Sequence, residues 1–198
     1  MNFFRFRITD FARVIAVTGV LAGGLAVTAP VHAATNCAAA PMINKVGRNL
    51  MAAAKSGSKS KFHSILKVYG DIPYIATRAL GKYRKKVPAS KRGTYNRLVG
   101  LYMAKGLAEY ARKFSGRSFR IVRCNNSRVE TSVQRGTRSH KIVWKLRKNS
   151  GFKIVDINVQ NFWVAEALKT DLSRVMSESK GDYKALFSYL DKWSKQSW

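Results

Sequence analysis

The chain reads as an α+β fold: helices first, a four-stranded antiparallel meander in the middle, helices last, with one face of the sheet covered by the helical layer. Three observations predict it. Apolar residues recur at helical spacing as far as Phe114; β-branched residues in alternation, broken by short polar turns, take over from Phe119 to Val159; helical spacing then returns from Phe162 to Trp193.

Small and aliphatic residues predict a first helix from Asn36 to Ala54, interrupted by the Lys/Ser stretch around Gly57. A second, short helix fits Lys61 to Tyr69. Gly70-Asp71-Ile72-Pro73 then supplies a stop, an N-cap aspartate and a proline in the first turn of a third helix, which runs to about Val87. After Pro88, Tyr95, Leu98, Val99, Tyr102, Met103, Gly106, Leu107, Tyr110, Ala111 and Phe114 keep a three-four rhythm that predicts one long amphipathic helix. Its Tyr-rich apolar face suits the wall of a cavity between helices and sheet.

Phe119 to Cys124, Val129 to Gln134, Lys141 to Arg147 and Phe152 to Val159 read as the four strands. Asn125-Asn126, Gly136-Thr137 and Asn149-Ser150-Gly151 separate them, and connections this short demand antiparallel hairpins. Phe162, Leu168, Leu172, Val175 and Met176 fall on a following helix, and Tyr183, Leu186, Phe187, Leu190 and Trp193 on a last one, punctuated by Gly181-Asp182.

Arg5, Arg7 and Arg13 precede an apolar stretch from Val14 to Val27, and Val31-His32-Ala33 supplies the small residues of a signal peptidase site. The stretch is shorter than the about 20 apolar residues that span a bilayer. Residues 1–33 are therefore expected to be a cleaved signal peptide and residues 34–198 a single exported domain. A lipoprotein is the alternative, since Cys37 lies near the cut, but Ala34-Thr35-Asn36-Cys37 lacks the Leu-small-small-Cys pattern.

The formal charge is +27, and cleavage removes three arginines and one aspartate, leaving +25. Such an excess calls for an anionic partner. For an exported protein that partner is not nucleic acid but an anionic membrane surface. The plainer alternative is a solvated surface without a partner. Cys37 and Cys124 both survive cleavage, and an even count in an oxidising compartment predicts that they pair. Two buried free thiols are the alternative.

Catalytic chemistry is scarce. His63 and His140 have no cysteine or carboxylate at metal-ligand spacing, so no metal site is expected. No Gly-x-Ser-x-Gly elbow, phosphate loop or paired carboxylate motif occurs. Asp156, among Ile154, Val155 and Ile157, is the one carboxylate whose burial could make it a general base; pairing with an arginine or capping a loop is the simpler role. The chain is expected not to be an enzyme and to need no cofactor.

Asp71-Ile72-Pro73-Tyr74-Ile75-Ala76, followed by Ala79-Leu80-Gly81-Lys82-Tyr83, resembles the D-x-P-x-x-A…A-L-G-x-Y signature of the MlaC or toluene-tolerance proteins, and hopanoid-associated relatives share much of it. Pro88-Ala89-Ser90-Lys91-Arg92 is similar to their helix start, Phe152 to Ile157 to their W-K-V-x-D-V strand, and Leu168 to Leu186 to their closing helices. The chain departs where Phe152 replaces the strand tryptophan and where Asn161-Phe162-Trp163-Val164 replaces a small-residue segment.

The resemblance implies a monomeric periplasmic carrier whose cargo is a phospholipid or related lipid, passed between an inner-membrane ABC transporter complex and an outer-membrane lipoprotein complex. Its acyl tails would lie between helices and sheet, where each buried methylene contributes about 0.8 kcal/mol without any bond making. The lining expected from this is Ile72, Tyr74, Ile75, Leu80, Tyr102, Tyr110, Val133, Trp144, Ile157, Val159 and Phe162, with Lys or Arg at the mouth. Two other readings stay open: a pocket enzyme built around Asp156, and a basic module that binds the envelope by charge alone.

Overall fold

Three of the described helices begin where a side-chain cap places them. The computed structural model describes residues 37–111 and 118–196; the expected signal peptide, Asn36 and Phe114 lie outside these. Pro41 sits in the first turn of α1 (Ala40–Ser56), which Gly57 ends in the left-handed conformation, φ +61°. The Ser58 hydroxyl accepts from the Lys61 amide at the start of α2 (Lys59–Tyr69). The Asp71 carboxylate accepts from the Tyr74 amide at the start of α3 (Ile72–Leu80), at 3.2 Å. That third helix is shorter than expected, because Gly81 takes φ +52° and turns the chain into a 3-10 segment, Gly81–Lys85. The long helix follows as α4 (Arg92–Ala111), and α5 (Val164–Glu178) and α6 (Tyr183–Lys195) close the chain.

α4 is not one-faced. Residues 98–106 are all buried apart from Leu101, because α1, α2, α3 and α6 pack around it. The spacing that suggested a single stripe is part of an almost continuous buried surface.

The sheet is an antiparallel meander in the order β1 (Ser118–Cys124), β2 (Arg128–Arg135), β3 (Arg138–Lys148), β4 (Phe152–Val159), β5 (Phe162–Trp163). The fifth strand is two residues long, and it takes Phe162 out of the helix in which periodicity placed it. Among the described residues the helices pack on one face: α1 lies on β1, while α2, α3 and α5 lie on β4.

Two register shifts decide which side chains reach that face. Ile121 pairs with Thr131 and Arg123 with Glu130, so Val122 has no partner and bulges. Strict alternation would send Cys124 to the uncovered face with Arg120; the bulge returns it to the helical side, where it bonds Cys37 across a Cα separation of 5.8 Å. The expected disulfide therefore ties the start of α1 to the end of β1. In β4, Leu146 pairs with Ile154 and Lys145 with Asp156, leaving Val155 over. Ile154 and Ile157 consequently share the inner face although they lie three positions apart.

One apolar cluster spans the inner sheet face and the helices. Close approach is needed where α1 crosses β1: a Cβ on Gly47 would stand 2.5 Å from the Phe119 ring, so only glycine lets that ring lie against the helix. Among the described residues no helix is long and apolar enough to cross a membrane.

Candidate functional site

Between the layers lies an apolar cleft. α1 gives it Val46 and Leu50, α2 gives Ile65, Leu66 and Tyr69, α3 gives Ile75, and α4 gives Met103 and Leu107. The sheet side is Trp144, Ile154 and Ile157, and the start of α5 adds Val164 and Ala165. The surface that these residues expose within it is wholly apolar. Trp144 stays so because its indole N–H turns along the sheet and donates to the Thr131 hydroxyl at 2.8 Å, satisfying the polar edge and leaving the ring to the cleft. Phe119 meets the same ring edge-on, centroids 6.3 Å apart.

The cleft reaches solvent at the edge of β4. Gly70 bridges Ile154, with the Asp71 amide donating to the Ile154 carbonyl at 2.9 Å, and β5 pairs with Asn158 and Val159. The strand edge between those two contacts is where Tyr69, Val155, Asp156, Val164 and Ala165 stand half-buried. Cations ring this place. Lys153 donates to the Val68 carbonyl at 2.6 Å, Arg147 reaches Asp71 at 3.5 Å, and Lys145 lies 3.8 Å from the centre of the Trp163 ring.

Asp156 sits among them. Its Oδ1 accepts from the Ile157 amide at 2.8 Å and from the Ala165 amide, in the first turn of α5, at 2.9 Å. Burial pushes its carboxyl above the usual range, against the pull of those two amides. This is a capping geometry at a helix N-terminus. The cleft brings no histidine, cysteine or further carboxylate to Asp156. Among the described residues no cluster of histidine, cysteine and carboxylate could hold a metal ion.

Of the eleven residues expected at the lining, Ile75, Trp144 and Ile157 meet in this cleft. Ile72 turns instead to α4, its Cδ1 lying 3.1 Å from where a Cβ on Gly100 would be, and Leu80 is buried in the core beyond the cleft. Tyr74 faces outward, sandwiched by Arg78 and Arg147, because it lies on the side of α3 away from Ile75. Tyr102 points into the helical layer and donates to Asp171. Val133 and Val159 are buried, with Val159 paired to Phe162, but all three fall outside the cleft toward the other end of the sheet. The Tyr110 side chain lies outside the described residues.

The walls from α1 and α2 were not anticipated, although Ile43, Val46, Leu50 and Ala53 keep a helical stripe that signalled the first; α4 does give a wall, through Met103 and Leu107 rather than Tyr102. The space itself is closed down. The atoms enclose about 480 Å³ including its open side, yet a water-sized sphere has only about 30 Å³ to move in. That is room for about two waters, while pockets that hold small ligands run to roughly 300–1,000 Å³.

The same architecture occurs in a solved protein. The phospholipid-binding protein from Ralstonia solanacearum, determined in complex with a phospholipid, superposes with a TM-score of 0.60 at 17% identity, over 78% of this chain and 95% of that one. None of the curated proteins compared with the chain matches it. The model of the family described as MlaC protein matches residues 42–192, so the chain belongs to the MlaC family.

Proposed function

We propose that this protein is an exported, monomeric phospholipid carrier that shelters acyl chains between its helical layer and its sheet while moving lipid between the membranes of a bacterial envelope. The observation that carries the reading is the interlayer cleft: its exposed surface is wholly apolar, and its single carboxylate is engaged in capping a helix. Membership of the MlaC family and a fold shared with a phospholipid-bound protein support it. The expected signal peptide supports the periplasm as its compartment. An inner-membrane ABC transporter complex and an outer-membrane lipoprotein complex are the proposed donor and acceptor.

The closed cleft sets the mechanism. Acyl chains enter only if the helical layer moves off the sheet, exposing apolar walls that each buried methylene then covers again for about 0.8 kcal/mol. Binding and opening are therefore one event, and the energy of the tails offsets the energy of parting the layers. No bond is made or broken, and the residues named for the lining serve as walls.

Native mass spectrometry of the purified protein, with extraction of what it carries, tests this. Phospholipid is expected in the extract, and Ile157→Trp, which fills the cleft, is expected to lose it while remaining folded. A wild-type protein that carries no lipid and takes none up from vesicles ends the proposal.

A further inference from the structure

From Ile72 to Ala108 the chain contains no acidic residue, and within this stretch six cations, Lys82, Arg84, Lys85, Lys86, Lys91 and Arg92, occupy eleven positions. The structure holds them together. They lie on the two 3-10 segments Gly81–Lys85 and Ala89–Lys91, at Lys86 just after the first, and at the start of α4, all exposed, with Val87 between them anchored in the core at 2% exposure. Among the described residues none of the six pairs with a carboxylate.

Other cations are treated differently. Arg128 and Lys141 share Glu130, Arg147 reaches Asp71, and Arg174 holds Asp171 and Glu178. Near the basic run the supply of positive charge only grows: Lys86 lays its stem along Gly181, beside Lys180 and Lys184, and Asp182 is engaged in capping α6. Like charges kept side by side on an ordered segment repel one another. A partner that supplies negative charge removes that cost.

We propose that residues 82–92 are the surface by which this protein docks on a bilayer of anionic phospholipid. A bilayer fits better than an acidic protein because protein interfaces centre on aromatic or aliphatic anchors in pockets. The exposed large apolar side chains among the described residues, Val68 and Val122, both lie elsewhere. A field of head groups asks only for several unpaired cations near its plane, each adding its share. The run stands at the far end of α3 from the β4 edge, about 14 Å along the helix axis, so docking there leaves the cleft mouth uncovered. This reading does not depend on the cleft: a protein that binds vesicles yet takes up no lipid keeps it and loses the carrier.

The test is sedimentation of the mature protein with vesicles of phosphatidylcholine alone or with about 30% phosphatidylglycerol, at low and high salt. Two quadruple variants lose the same net charge: Lys82, Arg84, Lys85 and Lys86 to Gln on the basic run, and Arg120, Arg123, Arg138 and Lys148 to Gln on the sheet. The wild type is expected to bind only the anionic vesicles and to come off in salt. The first variant is expected to lose about tenfold or more in partitioning, the second no more than about twofold. Equal losses in both, no binding by the wild type, or binding to polyglutamate without binding to vesicles would each overturn the assignment.

Discussion

Two carboxylates, one capping the start of α5 and one within it, are held in opposite ways. Asp171, between α4, α5 and α6, is surrounded: its Oδ2 accepts from Tyr102 at 2.5 Å and from Tyr189 at 2.7 Å, and its Oδ1 from Arg174 at 2.8 Å. Burial, ahead of the neighbouring Asp171, pushes the Tyr102 phenol up, and burial lifts Tyr189 to about 12, so both remain donors at any ordinary pH. Asp156, at the boundary of helices and sheet, has two backbone amides on one oxygen and none on the other. The helical layer is thus knotted by polar bonds that all need one another. Where it meets the sheet, the polar links found among the described residues gather at the β4 edge, and the rest of the contact is apolar surface and one disulfide. Apolar contact can be exchanged for an acyl chain at little cost, whereas a satisfied polar network cannot. The layers are expected to part at their boundary and the helical layer to move as a unit.

The largest effect expected from breaking this contrast comes from the disulfide. Replacing Cys37 and Cys124 together by Ser opens a loop of 87 residues and is expected to cost about 4 kcal/mol on loop-entropy grounds. Chemical denaturation reads that loss. Vesicle-to-vesicle lipid transfer is expected to accelerate as well, because the tie lies across the boundary that opens. Unchanged stability and unchanged transfer would mean that other contacts hold the layers.

Next in size is Asp171→Ala, expected to cost about 3 kcal/mol because it strands two phenols and a guanidinium together. The sharper expectation concerns what does not change. Well below the melting temperature, lipid transfer should stay within about twofold of wild type, since the knot lies inside the body that moves. Accelerated transfer in this variant would show that the helical layer itself deforms, and the distinction between knot and boundary would fail.

How far this contrast could be read from the residues alone follows from its physics. Helices and strands were legible because periodicity and caps are local: Asp71 caps the helix it precedes, and Gly181-Asp182 breaks the chain before the last one. The bulges at Val122 and Val155 were not, since alternation looks the same on either side of an extra residue, and it is these that aim Cys124 and Ile154 inward. β5 is two residues long and has no period to detect. In the site, Trp144, Ile157 and Ile75 were legible as large apolar residues on faces turned to a core. Tyr102 was misplaced because its partner lies 69 residues away, and nothing near it in sequence says that its hydroxyl will be claimed by Asp171. Tyr74 was misplaced because an amphipathic tyrosine fits a cavity wall as well as a pair of guanidinium groups.

Asp156→Asn is expected to give the smallest effect on stability, and the activity measured beside it separates the two roles open to that residue. The amide oxygen of Asn can still accept from the Ile157 and Ala165 amides, so α5 keeps its cap. What is lost is a charge that burial disfavours, the folded pKa lying above the usual carboxylate value. For such a group the folded state binds the proton more tightly than the unfolded chain, so its contribution to stability is complete below the unfolded pKa and is lost as pH rises through the folded one. The Asn variant does not undergo that loss. Its stability relative to wild type is therefore expected to climb as pH rises from the ordinary carboxylate range through the raised folded value, by no more than about 1 kcal/mol after screening at the exposed edge of the site, in paired denaturation curves. A capping residue in a carrier predicts this slope together with unaltered lipid transfer. A catalytic base predicts a turnover that the same substitution abolishes, and finding one would move the chemistry of this protein from sheltering hydrocarbon to transforming it.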